Sequence, residues 1–319
     1  MNCLFRDVAG PCLAPRGSVV TIGAYDGVHR GHRSVLALVR KRAAELNATP
    51  IVVTFAPVPR VFFSRAVAQL MTASEKAVAL LDAHIERVLM LRFDAALAAM
   101  SAEEFVERVL IARLAAHEVW VGEGFRFGHG RRGNLALLQR LGAAGGFSAH
   151  EAQRFVVEGE RVSSSSIREL LAAGDCDGAA HLLGRRFTIG GHVVRGRQLG
   201  RKLGYPTANI RLGTRVAPVG GVFAVRVAGI RAEPMPGVAS LGVRPTVNGK
   251  EPLLEAHLFD FDGDLYGKKL QVDFVQKLRD EEKFESLDVM VQQIDRDAAA
   301  ARKILQALSP ELCSGERVG

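Results

Sequence analysis

Short apolar runs alternate with longer segments of helical periodicity through the first half of the chain. The apolar runs are rich in β-branched residues, as buried strands are, and the longer segments place apolar residues on one face at helical spacing. Two serines, Ser74 and Ser101, stand where helix N-caps are expected, and Glu104 completes a capping-box pattern with Ser101. Alternation of this kind predicts an α/β domain with a doubly wound parallel sheet, whose ligands bind at the carboxyl ends of the strands. The predicted strands are Ser18–Ile22, Ile51–Phe55, Glu86–Leu91 and Glu118–Val121, and the predicted helices are Arg33–Leu46, Ser74–Leu81, Ser101–Leu114, Asn134–Leu141 and Ser164–Leu171.

The pattern changes near Gly184–Arg186, after which short strands are separated by turn residues. This texture predicts a small antiparallel β-barrel or sandwich, followed by one closing helix. The apolar stripe of that helix runs from Leu287 to Leu308, and we expect it to pack against the barrel. We therefore expect two domains, residues 1–185 and 186–319. The predicted strands of the second half are Phe187–Val194, Val222–Val227, Val238–Leu241, Leu253–Phe259 and Leu270–Val275.

Composition narrows the classes of partner. The net charge of +8 favours anionic ligands such as small phosphates, an acidic membrane face or nucleic acid. The basic residues are dispersed except in 126–132 and 195–202, and aromatic residues are few, so a nucleic-acid-binding protein without enzymatic activity is the weaker alternative. No apolar run reaches the roughly 18 residues of a membrane span. The scattered cysteines Cys3, Cys12, Cys176 and Cys313 indicate reduced thiols and a cytoplasmic location, and the oligomeric state stays open.

The segment Thr21–His32 carries the strongest chemical pattern of the first half. A predicted strand ends at Ile22, a glycine-containing turn follows, and a helix begins at about Gly31. Helix N-termini attract phosphate, and Gly23 lets the backbone approach a ligand closely. Because His29 and His32 are three residues apart, both imidazoles can face one ligand, where imidazolium donors would stabilise charge that develops on a phosphate. A metal-binding pair and simple helix capping are the alternatives.

His29-Arg30-Gly31-His32 after a strand resembles the H-x-G-H motif of the nucleotidyltransferase superfamily. Three further segments are similar, in the same order, to bacterial bifunctional riboflavin kinase/FAD synthetases. They are Thr54–Phe63, Val121–Gly128 and Val162–Arg168. The resemblance implies that the parallel-sheet domain is an FMN adenylyltransferase.

The resemblance assigns ligand contacts in that domain. Nucleotide and phosphate contacts fall on the turn after the first strand and on the serine run, which alone would suit a solvated loop. Flavin contacts fall on a segment whose phenylalanines would equally suit core packing. The implied ATP and phosphate residues are Gly23, Tyr25, Asp26, Gly31, Ser164, Ser165 and Arg168, the implied flavin residues are Phe125, Arg126 and Asn134, and His29 and His32 are the implied catalytic residues.

The second half resembles the riboflavin kinases of the same family through a glycine-rich segment that ends in Pro206-Thr207-Ala208-Asn209. By this resemblance Gly191, Gly196 and Gly200 contact the triphosphate of ATP. Thr207 and Asn209 supply hard oxygen ligands for Mg²⁺. Taken alone, the Pro-Thr-Ala-Asn segment would suit a turn with side-chain capping.

The segment Leu254–Gly267 also resembles the kinase pattern. It implies that Glu255 is the general base that accepts the proton of the riboflavin 5′-hydroxyl. Arg244 and Arg279 are candidates for a flavin contact or for a salt bridge, and the sequence leaves both open.

The implied protein phosphorylates riboflavin with ATP and Mg²⁺ to give FMN, then adenylylates FMN with a second ATP to give FAD and pyrophosphate. Ala56 and Gly124 replace residues that are often acidic in the family, so a riboflavin kinase with an inactive N-terminal domain is the alternative. A further alternative is a transferase half that acts on a phosphoalcohol with CTP. The resemblance implies that the partners are small molecules, namely riboflavin, FMN and ATP, with neither nucleic acid nor membrane.

Overall fold

The computed structural model describes residues 3–64, 67–196, 200, 204–213, 215–246 and 249–308. These residues form two units. The first contains the residues up to Val67 and Met71–Ser164, and the second contains Ala68–Leu70 and the residues from Ser165 onward. Cys313 and two parts of the glycine-rich segment, 197–199 and 201–203, lie outside the described residues.

A parallel sheet forms the centre of the first unit, as predicted; it has six strands, of which Cys3–Phe5 and Ser148–Glu151 were not predicted. Its order is β1-β4-β3-β2-β5-β6, so the chain moves from β2 to one side of the sheet first and to the other side later. This reversal makes the carboxyl ends of β2 and β5 the switch point at which ligands bind in open α/β sheets. The strands are β1 (Cys3–Phe5), β2 (Ser18–Ile22), β3 (Thr49–Ala56), β4 (Arg87–Arg92), β5 (Ala116–Val121) and β6 (Ser148–Glu151).

Both faces of the sheet are covered. Ile51 and Val53 belong to one buried cluster, whereas Val52 between them belongs to another, as the alternation of side chains along a strand requires. The covering helices are α1 (Arg30–Glu45), α2 (Pro59–Phe63), α3 (Ala73–Asp82), α4 (Ala95–Ala99), α5 (Ala102–Phe105), which continues as a π-helix over Val106–Arg113, and α6 (Leu135–Gly145). A 3₁₀ turn spans His129–Arg131, and a hairpin joins β7 (Val156–Val157) and β8 (Glu160–Arg161).

Helix ends follow the capping chemistry of the sequence, with two corrections. The Ser101 side chain accepts a hydrogen bond from the Glu104 amide, as expected, but the Glu104 carboxylate accepts from Arg108 at 2.6 Å instead of completing the predicted capping box. The predicted N-cap Ser74 is wrong, because α3 is capped by Thr72 in a capping box with Glu75. Thr72 and Glu75 have the same spacing as Ser101 and Glu104, so the signal was in the sequence.

The second unit contains a closed antiparallel barrel of order β10-β13-β12-β11-β14-β9, which confirms the predicted barrel. The sequence predicts every strand of it except β10, which contains the Pro-Thr-Ala-Asn segment and is not a turn. The strands are β9 (Phe187–Val194), β10 (Thr207–Arg211), β11 (Gly221–Ala228), β12 (Met235–Thr246), β13 (Gly249–Leu258) and β14 (Lys269–Arg279). Helices α7 (Ser164–Ala173) and α8 (Cys176–Leu183) precede the barrel, and α9 (Leu287–Ala307) follows it.

The closing helix packs on the barrel through its second half. Ala301 and Leu305 join Phe259 and Val275 in a buried cluster, as the apolar stripe predicts. Leu287, at the start of the stripe, is exposed, so the expected packing does not reach the first turn.

Candidate functional site

The loop that leaves β2 at the switch point is tightly packed. Tyr25 and Val28 are buried with positive φ values of 49° and 40°, which non-glycine residues rarely adopt. The Tyr25 hydroxyl lies 2.7 Å from Thr21 Oγ1, and the burial of Tyr25 raises the pKa of its hydroxyl. A Cβ on Gly23 would lie 3.0 Å from the Tyr25 ring, so glycine permits this packing. The packed loop therefore holds its backbone in place ahead of His29 and His32.

His29 and His32 are stacked, with ring centroids 3.6 Å apart and planes 15° from parallel. His29 is the N-cap of α1, and its Nδ1 accepts a hydrogen bond from the His32 amide at 3.2 Å. An accepting Nδ1 places the proton of a neutral His29 on Nε2, which is then a donor for a ligand. The capping and ligand-binding interpretations of His29 are thus compatible.

His32 has a depressed pKa. Burial lowers it well below the ordinary value of 6.5, and the neighbouring His29 and Lys76 lower it further. The lowered pKa favours the neutral imidazole of His32 near pH 7 in the free protein. Its Nδ1 is buried and has no hydrogen-bond partner within the described part of the chain. A bound polyphosphate would raise this pKa, because negative charge favours the protonated ring.

Asp26 and Ser164 connect the loop to the start of α7. Ser164 Oγ donates to the Asp26 carbonyl at 2.8 Å, and Asp26 Oδ1 accepts from the Met71 amide at 3.1 Å. The serine run thus begins a helix, as predicted, and Ser165 lies in its first turn. Arg168 on the same helix donates from Nε to the Ala68 carbonyl at 2.7 Å. Gly31, in the first turn of α1, is packed against the His29 ring.

The predicted flavin segment after β5 is largely structural in the first unit. Phe127 is buried, Phe125 packs against the same core, and the two rings are stacked with centroids 5.4 Å apart. Asn134 Oδ1 caps α6 by accepting from the Leu137 amide at 2.9 Å. Arg126 is exposed. Phe127 thus packs in the core and Phe125 does so in part, while the flavin contacts of this segment stay a prediction.

A second aromatic cluster lies at the carboxyl ends of β3 and β4. Phe55, Phe62, Phe63 and Phe93 make edge contacts with centroids 5.2–5.9 Å apart. Phe63 is 71% exposed and Phe62 is 38% exposed, unlike core phenylalanines. The sequence interpretation did not identify this cluster as a site, although Phe62 and Phe63 belong to a family-like segment.

On the barrel, β10 and β13 place the predicted kinase residues side by side. Asn209 lies directly opposite Glu255, and Thr207 lies opposite His257. Ala208, Ile210, Leu254 and Ala256 alternate with them and are buried in the barrel. The candidate residues therefore share the outer face of the barrel.

Asn209 is only 5% exposed, yet its Oδ1 has no hydrogen-bond partner among the residues that the structure describes. A Cβ on Gly196 would lie 2.6 Å from the Asn209 carboxamide, so only glycine lets the backbone pass so close. Gly200 is needed for a different reason, since its Cβ would lie 2.3 Å from the Tyr205 carbonyl oxygen, with Thr207 Oγ1 at 3.3 Å. Gly191 is different, because its missing side chain makes room for the backbone of Arg211 on the next strand.

A cavity of about 460 Å³ opens beside these residues. Thr207 and Asn209 form one wall, and the segment Phe261–Tyr266 forms another. Arg195 lies over the Tyr266 ring, with its guanidinium carbon 5.4 Å from the ring centroid. The cavity wall therefore contains Asn209, whose Oδ1 has no partner in the described part of the chain, and Tyr266, which Arg195 contacts.

Arg244 and Arg279, the predicted flavin or salt-bridge residues, differ in what the structure describes of them. Arg279 forms an ion pair with buried Asp297, donating from Nε and Nη2 at 2.8–3.1 Å, so the salt-bridge alternative is realised. The backbone of Arg244 lies in β12, and its side chain lies outside the described part of the structure.

Comparison with protein families gives two matches. The family described as FAD synthetase matches residues 13–166, and the family described as riboflavin kinase matches residues 183–305. The first match contains the histidine loop, and the second contains the barrel face with Asn209 and Glu255.

Curated relatives and one solved structure each match nearly the whole chain. A Pseudomonas fluorescens protein named bifunctional riboflavin kinase/FMN adenylyltransferase is 47% identical over 292 residues, 91% of this chain and 93% of the relative. An Escherichia coli K12 protein of the same name is 42% identical over 310 residues, 96% and 99% of the two chains. A crystal structure from Streptococcus pneumoniae, titled as a macrolide-efflux protein, matches with a TM-score of 0.78 and 27% identity over 94% of this chain and 98% of that one. Within the described residues, no helix of the present chain has the length and apolar character needed to span a bilayer.

Proposed function

The chain belongs to the family of bifunctional riboflavin kinase/FMN adenylyltransferases, and from this premise we propose which residues carry each of its two reactions. The enzyme phosphorylates riboflavin with ATP to form FMN and transfers AMP from a second ATP to FMN, which forms FAD and pyrophosphate. An inactive N-terminal domain receives no support from the comparisons, because the FAD synthetase match includes the entire histidine loop. We assign residues 1–185 to adenylyl transfer and 186–319 to the kinase. A cytoplasmic location stays a prediction from the cysteine pattern.

For the kinase reaction we assign the general base to Glu255. Its carboxylate would accept the proton of the riboflavin 5′-hydroxyl as that oxygen attacks the γ-phosphorus of ATP, and ADP would leave. The pairing of Glu255 with Asn209 across β10 and β13 supports this assignment, because it places a carboxylate beside Asn209, whose Oδ1 has no hydrogen-bond partner among the described residues. Gly196 and Gly200 would bring backbone close to the phosphates, whereas the packing of Gly191 against β10 favours a structural role.

The residues present fit Mg²⁺ at Thr207 and Asn209. Asn209 Oδ1 is a buried hard oxygen without a partner in the described residues, and Thr207 adds a hydroxyl two positions away on the same face. A bound Mg²⁺ would neutralise charge on the phosphates of ATP. A neutral pair of protein ligands suits a nucleotide that itself carries the negative charge.

For adenylyl transfer we assign the α-phosphate to the histidine pair. His29 would donate from Nε2, and His32 would donate once phosphate raises its pKa, so that both stabilise charge on the pentavalent phosphorus. We assign the loop residues Gly23, Tyr25, Asp26 and Gly31 to the nucleotide. Ser164, Ser165 and Arg168 are assigned to the pyrophosphate that leaves, because hydroxyls, amides and a guanidinium at a helix N-terminus bind anions. The stacked histidines at the switch point are the observation that carries this assignment.

The flavin of FMN has two candidate surfaces. The predicted contacts at Phe125, Arg126 and Asn134 remain predictions, and their core packing and capping leave little aromatic surface. The exposed pair Phe62 and Phe63 is the alternative, because an isoalloxazine ring needs flat apolar walls. For riboflavin at the kinase, Arg244 stays a prediction, whereas Arg279 already pairs with Asp297.

Chromatography of products from riboflavin, ATP and Mg²⁺ over time tests the proposal. We expect FMN to appear first and then to decline as FAD and pyrophosphate accumulate. Accumulation of FMN with neither FAD nor pyrophosphate would instead support the alternative of a riboflavin kinase whose N-terminal domain is inactive.

A further inference from the structure

A buried lysine near the histidine loop lowers the pKa of His32 but is assigned no part in either reaction above. Lys76 on α3 is 3% exposed. Its Nζ donates to the Ala24 carbonyl at 2.9 Å and to the Phe55 carbonyl at 2.6 Å. Burial of an ammonium group costs free energy unless its N–H groups are hydrogen-bonded, and these two carbonyls accept two such hydrogen bonds.

The two carbonyls belong to different parts of the sheet. Ala24 lies in the loop after β2, one residue before Tyr25, whereas Phe55 lies near the end of β3. Thr54 Oγ1 also donates to the Ala24 carbonyl, at 3.1 Å. The ammonium and the hydroxyl thus fix the loop backbone from two elements, at the point where it turns toward the histidines.

Stability alone does not require a charge at this position. Burial lowers the pKa of Lys76 to about 8, against a smaller opposing effect of Asp26, so the charged form is disfavoured. Apolar side chains of similar length often match or exceed the stability of a buried charged group. A role of the ammonium group in orienting the loop toward a polyphosphate would explain why a lysine occupies this position.

We propose that Lys76 is a positioning residue for adenylyl transfer, which holds the Ala24 carbonyl so that the following loop presents His29 and His32 to the nucleotide. The inference rests on the proposed function of the histidine loop. Lys76 acts through the backbone and does not itself contact the reacting atoms.

The test compares Lys76→Met with Lys41→Met in the full-length enzyme. Lys41 is a matched control, because its side chain is 75% exposed and its nearest acidic partner, Glu45, is 4.0 Å away. For Lys76→Met we expect kcat for FAD formation from FMN to fall by roughly tenfold or more, with KM for FMN and ATP changed by less than about threefold. Lys41→Met should match the wild type. Riboflavin phosphorylation, measured on the same samples, should stay unchanged in both variants and reports that the chain is folded.

A purely structural lysine would change the melting temperature and leave kcat below that temperature unaltered, and this result would overturn the proposal. If Lys76→Met fails to fold, Thr54→Val decides, because it removes the other donor to the same carbonyl at nearly constant volume. A lower kcat in Thr54→Val supports the proposal, and an unchanged kcat rejects it. His29→Ala separates the two levels of inference: if His29→Ala also forms FAD normally, the proposed site itself is wrong.

Discussion

Two buried polar atoms without partners lie in the two candidate sites. His32 Nδ1 and Asn209 Oδ1 have this property among the described residues, and Arg113 Nε shares it. Buried polar atoms are normally hydrogen-bonded, so an orphan in a candidate site indicates a group that a ligand would satisfy. The sequence identified His32 and Asn209 through family-like motifs. It could not show that either atom is unpartnered, because burial and hydrogen bonding depend on residues far apart in the chain.

Asn209→Ala should weaken the use of Mg²⁺ by the kinase. Removing one hard oxygen ligand is expected to raise the Mg²⁺ concentration for half-maximal FMN formation by roughly tenfold or more, whereas FAD formation from FMN should not change. Asn209→Asp retains an oxygen and should restore most of the affinity. A Mg²⁺ dependence that is the same in Asn209→Ala and in the wild type would contradict the metal assignment.

The stability contributed by Lys76 should depend on pH. Its pKa in the folded protein is about 8, below the ordinary 10.5, so between these values the unfolded chain binds more protons than the folded one. The free energy of unfolding of the wild type should therefore rise relative to Lys76→Met as pH increases from 7 to 10, by roughly 1–3 kcal/mol. Urea denaturation of both proteins at the two pH values measures this difference. A difference that stays constant or decreases would show that Lys76 is not charged and buried as described.

At the scale of elements, the hydrophobic pattern predicted the strands of the parallel sheet from β2 to β5 and the final helix. It failed where local chemistry was ambiguous. The Pro-Thr-Ala-Asn segment forms β10, because its pairing with β9 and β13 overrides the local preference for a turn. The short edge strand β1 pairs only with the distant β4, and three residues carry too little periodicity to be recognised.

Helix α9 is held by a buried ion pair as well as by its apolar stripe. Asp297 accepts hydrogen bonds from Arg279 on β14 and from Gln293. Asp297→Ala should lower the free energy of unfolding by roughly 3 kcal/mol, because it removes the buried carboxylate and leaves the guanidinium with the more exposed Glu282 at 3.4 Å. Asp288→Ala, in the exposed first turn of the same helix, is the control and should cost less than about 1 kcal/mol. Equal effects of the two substitutions on the urea midpoint would show that the ion pair contributes nothing beyond helix-end electrostatics.

At the scale of the whole molecule, the order of motifs along the chain implied the family and both fold classes, which the structure and the comparisons confirm. The sequence did not predict which segments of the chain belong to each unit. Ala68–Leu70 belongs to the second unit, where Arg215 donates to the Gln69 and Leu70 carbonyls at 3.2 and 2.6 Å. Nothing local in this tripeptide signals a partner some 145 positions away. Contacts of this range are set by the folded chain and not by periodicity.

The central claim is that the barrel face with Glu255 and the loop with His29 each perform one reaction. The most direct measurement supplies Glu255→Gln and His29→Ala separately with riboflavin or with FMN, in the presence of ATP and Mg²⁺, and quantifies the flavin products. We expect Glu255→Gln to form no FMN but to convert FMN to FAD at the wild-type rate, and His29→Ala to form FMN at the wild-type rate but little FAD. A folded variant that loses both activities, or one that retains both, would show that the two reactions are not divided between these sites.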